Sequence, residues 1–202
     1  MVRQACGGAR PTPQETMIYG TPGKNLEDGQ AGLDRSRRIV GRAGELATAA
    51  VLRRLEAAHP EIAVFHSLRV PARKMNTDID HVVAAGRRVW VLDSKCWQPG
   101  FYWSAGPLAM RGLHRAPYAK RRSMAVAARV LQGYLGTSAA VEVPHVVAWP
   151  SSPSQHLSVW AWRPVDARPI TGERFGAVAR RIIKPAPADA GVVEALARLV
   201  IG

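Results

Sequence analysis

Cysteine is almost missing from this 202-residue chain: Cys6 and Cys96 are the two that occur. A disulfide framework and a cysteine-rich zinc cluster are thereby excluded, and a reducing, cytoplasmic setting is the expectation. No run of about 18 apolar residues occurs, so no membrane span is expected. The first residues, "MVRQACGGARPTPQET", hold no apolar segment, so no secretory signal is expected. Acidic residues are scarce, with 15 Asp and Glu against 28 Lys and Arg and a formal net charge of +13. Such an excess fits a polyanionic partner, nucleic acid first and an anionic membrane surface second.

What is present suffices for one globular domain, since 47% of the residues are hydrophobic. Residues 1–34, rich in Gly, Pro, Gln and Thr, read as a flexible leader. From Arg37 to Ala58 apolar residues recur at three- and four-residue steps, which predicts a helix ended by His59-Pro60. "IAVFHSLRV" (62–70) reads as a strand. "TDIDHVVAA" (77–85) and "RRVWVLDSKCW" (87–97) read as a hairpin, with Gly86 suited to a type II′ turn. Residues 98–116 read as irregular. Pro117 to Leu135 reads as a helix closed by Gly136. Strands follow at 139–149 and, at an edge, 156–162; helices are expected at about 173–183 and 187–200. The fold class is α/β (α+β): a mixed central sheet flanked by helices, in the order α-β-β-β-α-β plus C-terminal helices. A domain over 35–165 would carry a helical extension, 166–202, packed on it.

The hairpin holds the chemistry. Paired positions around Gly86-Arg87 sum to 173, so Asp80 faces Asp93 and Asp78 faces Lys95. Strand alternation puts these four charges on one face. Opposed carboxylates about 5 Å apart repel or share a proton. A divalent cation removes the conflict, and Mg²⁺ takes one or two carboxylates with waters and substrate phosphate. A cation beside a lysine suits phosphodiester hydrolysis. A surface hairpin with an Asp78–Lys95 salt bridge is the plainer alternative.

The motifs "G41-R-A-G-E45-L", "I79-D80-H81" and "VWVLD93-S94-K95" in this order resemble the nuclease-related domain family, NERD, of the PD-(D/E)xK nuclease superfamily. The resemblance covers roughly residues 37–150 and implies a restriction-endonuclease-like core. It implies that Glu45, Asp80, Asp93 and Lys95 are catalytic, and that Asp80, Asp93 and Glu45, with the Ser94 carbonyl, hold Mg²⁺ or Mn²⁺. Lys95 would be the catalytic lysine. Ile79 stands where the superfamily has Pro, and Asp93 where relatives more often have Glu. The Gln or Lys of the following helix has candidates in Lys120, Arg121 and Arg122. With Arg38 and Arg42 these are the expected nucleic-acid contacts, and their contribution would fall steeply with salt. DNA ranks ahead of RNA, and a homodimer is a family expectation.

Two further functions compete: a nucleic-acid-binding module without catalysis, and a basic adaptor for an acidic protein or membrane surface. Glu45 has a reading without chemistry, as a carboxylate near a helix start favoured by the dipole. His81, alternating away from Asp80, reads as a packed or hydrogen-bonded histidine. Trp97, Tyr102 and Trp103 read as packing ahead of base stacking, and Trp149, Trp160 and Trp162 as core or edge packing. Cys96 faces away from Lys95.

Overall fold

The computed structural model describes residues 16–24, 26, 35–71, 77–116, 119 and 123–202. Its centre is a seven-stranded mixed sheet built from β1 (Ile18–Tyr19), β2 (Ala63–Val70), β3 (Thr77–Ala85), β4 (Arg88–Trp97), β8 (Ala140–Val141), β9 (His145–Pro150) and β11 (Arg168–Thr171). The strands lie in the order β1-β2-β3-β4-β9-β11, with β8 also on β4. A second, four-stranded sheet is built from β5 (Gly100–Ala105), β6 (Leu108–Arg111), β7 (His114–Arg115) and β10 (Leu157–Ala161), and runs β10-β5-β6-β7. The helices are α1 (Arg35–Ala58), α2 (Ser123–Leu135), α3 (Gly172–Ile182) and α4 (Ala190–Ala197).

The central sheet is covered on both faces, as its period-2 pattern dictates. Val82 and Ala84 of β3 with Val89 and Val91 of β4 pack against Met124 and Leu131 of α2, Leu196 of α4, and Tyr102 and Val159 of the small sheet. The alternate residues Val83, Ala85, Trp90 and Leu92 pack against Leu52 and Leu55 of α1 and Phe175 and Ala179 of α3. All of these side chains are buried, at about 1.5–3 kcal/mol for each large one. This mixed sheet between helices is the α+β architecture expected from the sequence, and it agrees with a restriction-endonuclease-like core.

The β3–β4 hairpin has the expected register, from Ala85↔Arg88 to His81↔Leu92. Gly86 takes φ +56°, a left-handed angle that favours glycine in the turn. Several expectations need correction. Residues 98–116 form β5, β6 and β7 rather than an irregular stretch. The strand expected at 139–149 is broken into β8 and β9, because Pro144 has no N–H for a ladder. The 156–162 strand does lie at an edge, but of the small sheet, parallel to β5. The C-terminal stretch 166–202 contributes strand β11, parallel to β9, as well as helices. Within the stretch read as a leader, residues 16–24 are tied down: Ile18 and Tyr19 pair with Val64 and Phe65, and the Met17 N–H donates to Glu56 Oε1 at 3.0 Å.

Candidate active site

Asp80 lies where the ladders open. The β3–β4 pairing ends at His81↔Leu92, and the β2–β3 pairing passes from His66↔His81 to Leu68↔Ile79 without a Ser67↔Asp80 pair. Ser67 has φ +52°, a strained left-handed angle for a side chain with a Cβ. Side-chain alternation slips at this kink. Ile79 packs in the same cluster as Val82, and Leu68 in the same cluster as Phe65, although strict alternation would separate them. A carboxylate can therefore sit inside two buried strands without breaking a regular ladder.

The slip also overturns one expected pair. Asp78 does not meet Lys95; it binds Arg69, with the guanidinium Nε donating to Oδ1 at 2.9 Å. Lys95 binds Asp93 instead, Nζ to Oδ1 at 2.6 Å. Nor do Asp80 and Asp93 form a direct ladder pair; the Ser94 N–H donates to Asp80 Oδ2 at 2.8 Å. From Leu92 onward β4 turns to β9, pairing Asp93 with Val146 and Lys95 with Ala148.

Glu45 enters from α1. It lies about three turns from Arg35, too deep for the helix dipole to explain it. What brings it in is Gly44. A Cβ at Gly44 would stand 3.2 Å from the Cys96 Cβ and 3.3 Å from its backbone nitrogen, so the helix lies directly on β4. Glu45 is 3% exposed, and its Oε2 is buried without a hydrogen-bond partner. Burial first, then the Asp80 charge, raises its pKa to about 8, against a backbone hydrogen bond from Gly23 and the charge of Lys95. Burial raises Asp93 to about 6, with Lys95 opposing and Asp80 adding. Burial works against the charge on Lys95, but Asp93 and Asp80 outweigh it and hold its pKa above the ordinary lysine value. Glu45, Asp80, Asp93 and Lys95 thus form one electrostatic unit.

A buried polar chain lies behind them. Thr48 donates to the Gly44 carbonyl at 3.1 Å and accepts from the Trp149 indole at 2.9 Å and from the Ser94 hydroxyl at 2.7 Å. The Ser94 proton is thereby committed, so the 3.0 Å contact with His81 Nε2 has His81 donating. His81 Nδ1 then accepts from His66 Nδ1 at 2.8 Å. Burial lowers both histidines to about 3, so both are neutral. His81 is the hydrogen-bonded histidine that strand alternation predicts. Thr48 and Gly23 are absent from the sequence-derived site. Thr48 had one signal, its place one helical turn after Gly44.

The other expected residues are more scattered. Arg38 and Arg42 are exposed on α1, and the Arg42 stem packs over Gly23. Lys120, Arg121 and Arg122 lie outside the described residues. Trp97, Tyr102 and Trp162 are buried and packed together, with Trp97 stacked on Tyr102 at 4.9 Å and edge-on to Trp162 at 5.0 Å. Trp103 donates to the Gly112 carbonyl, and Trp149 to Thr48. Trp160 departs from the packing expectation at 68% exposed.

No group of three or more His, Cys, Asp or Glu among the described residues is gathered into a ready-made metal cage. Mg²⁺ does not need one: one or two carboxylates, waters and a substrate phosphate suffice. The all-oxygen donors and the unpartnered Glu45 Oε2 fit a hard divalent cation.

A mixed sheet carrying two acids and a lysine on adjacent strands, with a glutamate from the first helix, is the frame of a nuclease-like protein. The nuclease-related domain model matches residues 40–150, more than half of the chain, and the chain belongs to that family. Comparison with curated proteins and with solved structures finds no match. Among the described residues no helix is long and apolar enough to cross a membrane.

Proposed function

We propose that the chain is a divalent-metal-dependent nuclease that hydrolyses phosphodiester bonds of DNA. The observation that carries this reading is Glu45: a buried carboxylate held against Asp80 and Asp93, with Oε2 left unpartnered beyond the Gly23 amide. Glu45, Asp80 and Asp93 would hold Mg²⁺ or Mn²⁺, with the Ser94 carbonyl as a further oxygen. When bound, such a cation lowers the pKa of a water and neutralises charge building on the phosphate.

The chain's own residues do the rest. Lys95 is protonated and held by Asp93, so it presents a positive charge to a phosphate oxygen without competing as a base. Asp80 is oriented by the Ser94 amide, and Ser94 by His81 and Thr48. The net charge of +13 supplies the long-range attraction to a polyanion.

The test is cleavage of supercoiled plasmid, linear duplex and single-stranded DNA with Mg²⁺ or Mn²⁺ against EDTA. The expected result is metal-dependent cleavage that Asp93→Ala and Lys95→Ala abolish. Salt-sensitive binding without cleavage under any metal would replace it with the binding module.

A further inference from the structure

A cleft of about 410 Å³ opens between β10, β11 and α3, at the β11 edge of the central sheet. Its walls carry Arg168 of β11 and Arg174 and Arg181 of α3, all exposed. Among the described residues none of these three guanidiniums meets a carboxylate within ion-pair distance. Glu173, the acid of the lining, stands 3.9 Å from His156. Three exposed cations around one cleft concentrate positive potential there and are available to an anion.

Trp160, 68% exposed, stands at the mouth, and Phe101, 38% exposed, lies 5.7 Å from it between ring centres. These are the outward residues of β10 and β5, whose inward neighbours Tyr102, Leu157 and Val159 are buried. A large exposed indole beside these arginines pairs a stacking surface with a phosphate site. Glu142 is the sole Asp or Glu between Ser94 and Val165 and binds Arg88 at 2.7 Å, while Asp166 and Glu173 are the acids nearest the cleft in sequence.

The register links the cleft to the candidate chemistry. Arg168 pairs with His145, and His145 with Leu92, the residue before Asp93. Two strand spacings, about 10 Å, separate them. Arg168 shares the Leu92 face and Asp93 the opposite one, so a nucleic-acid strand leaving the carboxylates would round the β11 edge of the sheet to reach the cleft.

We infer that this cleft is a nucleotide subsite: Arg168, Arg174 and Arg181 take a phosphate of the strand, and Trp160 with Phe101 stacks a base splayed from its neighbours. The inference rests on the nucleic-acid reading above and narrows it to substrates with single-stranded or frayed segments. A paired duplex offers phosphates but no free base face, so the aromatic half of the subsite discriminates between them.

The experiment is binding of a labelled 20-nucleotide single strand and the matching duplex, by anisotropy in EDTA over a salt series. Wild type, Trp160→Ala, Trp160→Phe, Arg174→Ala/Arg181→Ala and Asp93→Asn are compared, each with its oligomeric state. All altered cleft side chains are exposed, so folding is preserved. Trp160→Ala is expected to weaken single-strand binding about five- to a hundredfold, with duplex binding changed less than twofold and Trp160→Phe restoring most of the loss. The arginine pair should weaken both and flatten the salt slope by about 0.7 for each phosphate of the single strand that is no longer neutralised. Single-strand affinity unchanged in both Trp160→Ala and the arginine pair overturns the subsite while leaving the nuclease reading intact. The expected losses in a wild type that never cleaves support the subsite and overturn the nuclease. A dimer that Trp160→Ala dissociates, with nucleic-acid affinity unchanged, overturns the subsite in favour of a second copy of the chain.

Discussion

The carboxylate corner and the arginine cleft lie on one sheet and are built in opposite ways. At the corner, Glu45, Asp80 and Asp93 crowd around Lys95, and two of the three acids are pushed toward their neutral forms. At the cleft, like charges stand exposed and the aromatic ring is wet. Burial is what makes the corner stiff and costly; exposure is what leaves the cleft cheap and adaptable. In a chain with 15 acids against 28 basic residues, placing three acids in one largely buried corner is the less probable arrangement. Chemistry needs fixed charges, and binding a polyanion needs available ones.

The largest expected effect is at the corner. Asp93→Ala or Lys95→Ala should lower cleavage about a hundred- to a thousandfold without comparable loss of DNA binding, measured by plasmid nicking beside anisotropy. Next is the helix packing that delivers Glu45. Gly44→Val would drive a branched side chain into Cys96 and should lower unfolding free energy by about 1–3 kcal/mol, read by urea titration, with cleavage falling alongside.

Smaller, and opposite in sign, is the relief of a buried acid. The folded pKa of Glu45, about 8, lies above its ordinary 4.5, so stability falls as pH rises from about 4.5 to 8. Glu45→Gln should therefore raise Tm in EDTA by about 3–6 °C at pH 9, have little effect near pH 4, and abolish cleavage. Histidines set the other limb. His66 and His81 fall to about 3 and His145 to about 4, all below the ordinary 6.5, so the unfolded chain takes up protons first as pH falls. Stability is lost from about pH 6.5 down to 3. With Asp93 adding to the Glu45 limb up to about pH 6, the wild-type Tm in EDTA should peak near pH 6–7. The smallest effect belongs to the cleft: Trp160→Ala should shift unfolding free energy by less than about 0.5 kcal/mol, whatever it does to binding.

The legible part of the site was the part that strand periodicity controls. β3 spans Thr77–Ala85 as its alternation predicts, and the hairpin register follows from Gly86. The positions of Asp80, Asp93 and Lys95 on adjacent strands came with it. The pairing of Asp78 with Lys95 failed because a left-handed serine shifts the side-chain phase, and nothing in "FHSLRV" marks Ser67 as special. The small sheet was unreadable for a different reason. Gly100, Gly106 and Gly112 punctuate it, all at positive φ, and so dense a set of breakers reads as loop although two of them turn very short strands. The Trp160 exposure was hidden because that stretch alternates apolar and small residues as a core strand does. Gly23 was out of reach because its hydrogen bond to Glu45 depends on a fold-back from a stretch that composition marks as leader.

That fold-back bears on where the working unit begins. The family match runs from residue 40 to 150, yet β1 closes one side of the sheet from residue 18, and β11 closes the other at residue 171. Thr21 and Lys24 are pinned to Ser67, the kinked residue opposite Asp80, through its hydroxyl. A recombinant fragment trimmed to the matched span would lose both border strands and the amide that steadies Glu45. Two raw strand edges would then face solvent, a recipe for insoluble protein, and its inactivity would say nothing about the full chain.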